Sequence, residues 1–557
     1  MTWNGLVEAS GERISRGADW ARRAGYFLRR QWPSFVVWAL PVLAWGATTS
    51  LLGILVGVGV VYLPPTGAIG IVAAVALVLL WAMPDLATVP DRTIRISFYL
   101  MIVIGLCVPW YYTVQFAGLP WISARRVATV LLVAPLALAL CASSAARRQV
   151  AERARAAWPL VACAVGFLVM IFLSMPTSVS FSSSLSGSMD AILEWYVPFL
   201  AVVFIVRSYE QVLTLLRVIC ICAIPVAIAG VIEFRLQHRF FVDIFPSGML
   251  ADLIAQNPTF AILVNFTAVR NGVYRANSIF GGSLSFGEFE AMVVPLGLYF
   301  VFWGARAWER MLGVAVVVSA LLGIYVAGAR GGWIALISCV AAFAALWIVR
   351  EFKFNKGGFA APIVAVLGAV AFLGLILSIV LVGRVNHMVL GDGMSTYSDD
   401  ERRLQWTVGI PRILSNPITG HGFNGGAEIL NSTGEHSSET VDSYALSLLI
   451  ETGVPGFLFF TGMIFWIVWG RAKRYLTDPS PQSAVNSALV CSVLAFTVDR
   501  LVLSQRENHK LFFLLAGVTV ILAYLEASES AKPVKSGAAR ASPSGPGLGR
   551  RQQWSGA

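Results

Sequence analysis

Three arginine-bearing segments of this chain lie where an apolar run begins or ends, and a fourth segment places a carboxylate in the same setting. Arg330 stands in IYVAGARGGWIALI, where two apolar runs meet within a few residues. Gly331 and Gly332 follow it, so the N–H groups opening the next helix stay accessible. Such amides beside a guanidinium suit a pyrophosphate; a tight hairpin with a snorkelling arginine is the plainer alternative. Arg275, in VYRANSIFGGSLSFGEFEAMVVPLGLYF, enters another apolar run, with Arg270 close by. Pairing of these arginines with Glu288 or Glu290 is the bland reading, and Glu288 pointing into a site is the sharper one. Arg402 and Arg403 open DERRLQWTVGIPRILSNPITGHGFNGG, whose Gly420 and Gly422 permit positive φ and a close backbone approach to a sugar or phosphate. Asp442, in VDSYALSLLIETGVPGFLFF, is placed to take a proton from a hydroxyl, or else to cap the following helix. His436 and His421 are secondary candidates for the same task.

The elements that must position these residues are membrane helices. Of 557 residues, 57% are hydrophobic and 13% charged, with a mean hydropathy of +0.73. Soluble domains are nearer 45–50% apolar and about 25% charged. Apolar runs of about twenty residues recur along most of the chain, as bilayer-spanning helices require. The expected fold is an all-α polytopic membrane protein of about fourteen spans. They fall near 35–62, 66–83, 97–116, 127–142, 159–175, 190–206, 213–232, 286–304, 311–328, 332–349, 360–383, 443–469, 484–504 and 511–526. No internal repeat and no soluble domain is visible. All seven cysteines lie in apolar stretches, so no disulfide framework or metal site is indicated.

Arginine and lysine asymmetry orients the spans. A basic N-terminal segment, 1–34, and a Pro-, Gly- and Ser-rich tail, 527–557, both fall on the cytoplasmic side, and the tail is expected to be disordered. Clusters such as Arg147–Arg148, Arg306 with Arg310, and Arg471 with Lys473 and Arg474 fall there too. Arg125 and Arg126 conflict with this assignment. The membrane domain, 35–526, then carries two long connections on the outer face, about 233–285 and 384–442, and connections of that length usually serve a function. The net charge of +11 is explained by topology, without a nucleic-acid partner. Asp499 and Arg500, within the thirteenth span, read as a mutual or neighbour-helix charge pair, with a cavity-lining role as the alternative.

No GxxxxGK[ST] loop, no GxGxxG after a strand, no HExxH and no CxxC pair is present. What remains is the set of arginines near the outer face, costly in a bilayer and for that reason functional candidates.

Taken in order, these stretches resemble the O-antigen ligase and O-antigen polymerase superfamily of bacterial membrane glycosyltransferases. The resemblance covers roughly residues 265–470. The superfamily has an SRG where Ala329, Arg330 and Gly331 stand here. It also shows an arginine, a Gly-containing stretch and a Pro-bearing helix as around Arg275, and an arginine, a Trp and a Pro…Gly-x-Gly turn as in Arg402 or Arg403, Trp406, Pro417, Gly420 and Gly422. Ligase-type members resemble HN-x-Y nine residues before the Glu of an ExG pair, and the His is the base. Counting back nine from Glu451 in ETG reaches Asp442, followed by Ser443 and Tyr444. Polymerase-type members often resemble DN-x-Y there, so this departure favours polymerization.

The resemblance implies a GT-C-like, metal-independent glycosyltransferase of the bacterial inner membrane that needs no cofactor. It would take a glycan linked to undecaprenyl pyrophosphate as donor and a second lipid-linked repeat as acceptor. Arg275, Arg330 and Arg402 or Arg403, with Gly331 and Gly422, would hold pyrophosphate and glycan, and Asp442 would serve the acceptor hydroxyl. A chain-length regulator and a Wzx-type flippase would be companions. A ligase moving finished glycan to lipid A core is the near alternative, and a secondary transporter or flippase the distant one.

Overall fold

The computed structural model describes residue 78 and residues 89–109, 111–114, 122–244, 269–270, 272–355, 358–359, 361–368, 393–431, 441–501 and 504–530. The expected N-terminal segment, the first span, almost all of the second, most of the eleventh, His436 and the tail beyond 530 lie outside the described residues. Within them the protein is helical apart from two small antiparallel strand pairs, β1 (Thr113–Val114) with β2 (Ile122–Ser123) and β3 (Val269–Arg270) with β4 (Val273–Tyr274).

The helices are α1 (Asp91–Cys107), α2 (Ala124–Ala142), α3 (Ser144–Ala156), α4 (Trp158–Leu173), α5 (Phe181–Ala191), α6 (Val197–Ile205), α7 (Tyr209–Leu236) and α8 (Phe240–Ile244). They continue as α9 (Ser283–Trp303), α10 (Ala307–Ala327), α11 (Arg330–Phe354), α12 (Gly393–Ser415), α13 (Gly426–Asn431), α14 (Tyr444–Thr477), α15 (Val485–Arg500) and α16 (His509–Ser530). A π-helical turn, Ile192–Tyr196, joins α5 to α6 into one span. Among the described residues ten segments are long and apolar enough to cross a membrane, so the protein is a multi-pass, all-α membrane protein. Local sequence sets the ends. Val108 stops α1 in an extended conformation because Pro109 follows it. Gly328, with φ +56°, turns α10 directly into α11.

Helix α9 is the axis of the bundle: 83% of its spanning window is buried, against 28% for the peripheral α11. It packs on α7, α10, α11 and α15. Its polar residues Ser285, Glu288 and Glu290 can be carried because they are enclosed in protein rather than lipid. Close approach is built with small residues. A Cβ on Gly332 of α11 would lie 3.1 Å from the Gly287 Cα, and one on Gly297 would lie 3.2 Å from the Gly313 carbonyl oxygen.

One continuous apolar core fills the bundle. A second, smaller one lies in a lobe formed by α12, α13 and the start of α14: Val408, Ile429, Leu430, Val441, Leu446 and Ile450, with Trp406 and Ile413 packed on it. This lobe departs from the sequence reading, which placed Arg402 and Arg403 in a polar loop within 384–442; both sit on the 23-residue helix α12. Gln405, Val408 and Gly409 are buried and Ile413 half-buried, a helical spacing that turns one stripe inward and leaves the charged residues outside. The other long connection is shorter than 233–285, since α7 runs to Leu236.

Candidate active site

Arg275 is set in place by a carboxylate. Glu233, fully buried near the end of α7, accepts hydrogen bonds from the Tyr274 hydroxyl (2.9 Å), the Asn277 N–H (3.1 Å) and the Ser278 N–H (2.7 Å). These donors flank Arg275 on both sides, so the backbone at Arg275 is fixed although the segment has almost no regular structure. The Ala276 N–H then reaches the Val326 carbonyl (3.0 Å), and Arg275 Nε donates to the Ala327 carbonyl (3.2 Å). Arg275 thus lies against the α10–α11 turn, whose next helix opens with Arg330, exposed, and Gly331, buried. The two arginines that the sequence put forward separately form one group. Glu288 is not their partner: it pairs with Arg500 of the neighbouring α15, Nε donating at 2.9 Å, and accepts from Asn508 Nδ2 (2.7 Å).

A second group forms around Asp442. Helix α14 is broken two turns in, where Gly453 takes φ 69° and ψ −177° and Pro455 lacks an N–H. The break leaves the carbonyls of Ile450 and Glu451 without helical donors. The glycine turn supplies them: the His421 N–H reaches the Ile450 carbonyl (2.8 Å) and the Gly422 N–H the Glu451 carbonyl (3.1 Å). In return the Val454 N–H donates to the Pro417 carbonyl (2.8 Å). Gly420 and Gly422 have φ of +71° and +103°, and a Cβ on Gly422 would collide with the Ser178 hydroxyl. The turn also docks on the bundle through Thr177 Oγ1 to the Gly420 carbonyl (2.8 Å) and the Phe423 N–H to Ser174 Oγ (3.1 Å).

Asp442 lies just before α14, whose N-cap is Ser443. Its own N–H donates to Gln405 Oε1 (2.8 Å), and its carboxylate lies 3.9 Å from Arg402 Nε. Of the two candidate arginines, Arg402 faces Asp442 while Arg403 is exposed. His421 turns its Nε2 to the Arg412 carbonyl (2.8 Å) at the end of α12, a capping position.

Sequence reasoning passed over the loop between α15 and α16. Here Arg506 pairs with Glu451 and donates to Asn424 Oδ1 (3.0 Å). The Gly281 N–H donates to Glu507 Oε1 (2.9 Å), and burial holds the Glu507 carboxyl above the usual carboxylate range, offset in part by that N–H and by the Arg125 charge. Asn508 Nδ2 reaches the Ser285 carbonyl (2.7 Å), and Lys510 pairs with Glu194 of the π-helical turn. The loop therefore touches both groups: the approach to α9 that follows Arg275, and the start of α14 that follows Asp442. Arg125 and Arg126, the exceptions to the charge asymmetry, lie at this same end, with Arg126 paired to Asp190 (2.9 Å) and Arg125 Nε donating to the Val108 carbonyl (2.8 Å). One signal could have found the loop: SQRENHK puts two cations on the side that the asymmetry leaves poor in them.

The helical bundle thus carries arginines, a glycine turn and a carboxylate, linked by the α15–α16 loop. Residues 315–461 match the family model described as O-antigen ligase, a glycosyltransferase-like family, which bears out the resemblance to the O-antigen ligase and polymerase superfamily. The matched stretch contains Arg330, Arg402, Gly422, Asp442 and Glu451, but neither Arg275 nor Arg506. No curated protein matches the chain.

Proposed function

We propose that this protein polymerizes oligosaccharide repeats carried on undecaprenyl pyrophosphate, at the outer face of the bacterial plasma membrane, with a GT-C-like arrangement. The acceptor hydroxyl oxygen attacks the donor's anomeric carbon. The bond from that carbon to the phosphate oxygen breaks, and its electron pair leaves with the lipid pyrophosphate. Asp442 takes the hydroxyl proton, and Arg402 beside it steadies the carboxylate. Arg275, Arg330 and the first amides of α11 take the charge that develops on the leaving pyrophosphate. Neither metal nor cofactor enters the reaction; its partners are the two lipid-linked glycans, with a chain-length regulator and a flippase supplying and limiting them.

The observation that carries this reading is Asp442, one residue before the N-cap of α14 and facing Arg402, where ligase-type members have a histidine. The second reading is that of a ligase, the word in the family's description, transferring finished glycan to lipid A core. Purified protein given lipid-linked repeats alone decides between them. A ladder of longer lipid-linked chains supports polymerization. Product that forms only when lipid A core is added establishes the ligase.

A further inference from the structure

The lobe bearing Arg402 and Asp442 has its own small core beside that of the bundle bearing Arg275 and Arg330, and only Phe423, Tyr444 and Leu448 at its base enter the bundle core. Something must set one against the other, because a glycosyl transfer needs the base and the leaving-group site in fixed register. The backbone exchange at the α14 break fastens the glycine turn to α14. A second fastening comes from the α15–α16 loop. The Glu451 carboxylate, 3% exposed, gathers Ser447 Oγ (3.0 Å), the Gly426 N–H (3.2 Å) and Arg506. Arg506 in turn holds Asn424, which has a φ of +70°, and its guanidinium lies 4.2 Å over the Phe423 ring, itself buried in the bundle core.

We infer that Arg506, acting through Glu451 and Asn424, is a positioning residue: it sets the Asp442-bearing lobe against the arginine-bearing bundle. Burying an ion pair costs more than an apolar contact of the same size, so simple cohesion would be met better by apolar side chains. What the pair adds is direction. Its fork fixes Glu451 and Asn424 together, and each belongs to a different arm of the turn–helix exchange. The inference rests on the transfer reading for its catalytic consequence, and on the contacts alone for its mechanical one.

The test measures both in the full-length protein in lipid nanodiscs, in a cysteine-free background. A spin label at Ile418→Cys, an exposed site on the turn, reports its mobility, and lipid-linked repeats from cells lacking the protein are the substrate. Arg506→Ala is expected to mobilise the label and lower kcat about 10- to 100-fold with KM little changed, as small misplacements of reacting groups do. Arg506→Lys, which keeps the charge but not the fork, recovers part of both, and Glu451→Gln, which folds without a buried unpaired carboxylate, repeats the loss. An immobile label in Arg506→Ala and Glu451→Gln, or a kcat that they leave intact, overturns the inference. If the unsubstituted protein makes no polymer, the transfer reading fails, and the label alone decides whether Arg506 fixes the lobe.

Discussion

The bundle and the lobe hold their arginines in different ways. In the bundle, Arg275 follows a strand pair and precedes α9, and its backbone is pinned from within by Glu233, inside one large apolar core. In the lobe, Arg402 sits on a regular helix, but that helix rests on a core of a few residues and meets α14 chiefly at Leu446 and Ile450. The bundle group is held by a buried carboxylate within the main core. The lobe group has a small core of its own, and is placed on the bundle by Phe423, Tyr444 and Leu448, which enter the bundle core, together with polar fastenings. In the proposed reaction, a site divided in this way would pair a phosphate seat in the bundle with a base in the lobe.

The sharpest way to break this comparison is at Asp442. Asp442→Asn keeps the shape and removes the base, so polymer formation is expected to fall by roughly 10²–10⁴-fold while the lipid-linked donor still binds. Near-normal chain growth, read by gel analysis of lipid-linked products, would move the base elsewhere, with His436 next in line. The bundle half is tested at Arg330. Arg330→Ala should lower turnover about 10²- to 10³-fold, as loss of one charge-stabilising group does, with protein level in the membrane unchanged. Arg330→Lys should recover little, since a point charge does not reproduce the planar fork. Full activity in Arg330→Ala would remove Arg330 from the phosphate seat, and full activity in Arg330→Lys would remove the need for the fork alone. A smaller effect should separate the two cores. Ile450→Ala removes a fully buried side chain and should cost about 2–5 kcal/mol of local stability. Hydrogen exchange should then quicken in α12 and α13 and stay unchanged in α9. Equal quickening in both would mean that the lobe and the bundle unfold as one unit.

Much of the bundle was legible because a spanning helix advertises itself in some twenty apolar residues. The third span was shifted toward its N-terminus because Pro109, buried in an apolar run, ends α1 early. Helix α12 was read as loop because its sequence is polar overall. Its inward stripe, Gln405, Val408, Gly409 and Ile413, contains only two large apolar residues, too few to stand out from a charged background. The arginines were found by their position at the ends of apolar runs. The groups that hold their surroundings were not, because Glu233 and Arg506 act across gaps of forty residues or more, and nothing local in IEFRLQ or SQRENHK says which distant residues each will meet. The glycines of the turn were read as room for a ligand or as a plain loop turn; the structure also uses them to approach the broken helix.

That broken helix has a consequence for inheritance and for engineering. Because Pro455 supplies no N–H, the Glu451 carbonyl needs a donor from outside its own helix, and Gly422 is shaped to provide it. Lock and key are thus encoded about thirty residues apart, and Arg506 lies a further fifty-five beyond Glu451. A chimera that transplants the 417–426 turn without the 450–455 break would carry a plug with no socket. One that carries both but ends at residue 461 would leave Arg506 behind, and the transplanted lobe would arrive without the bolt that aligns it.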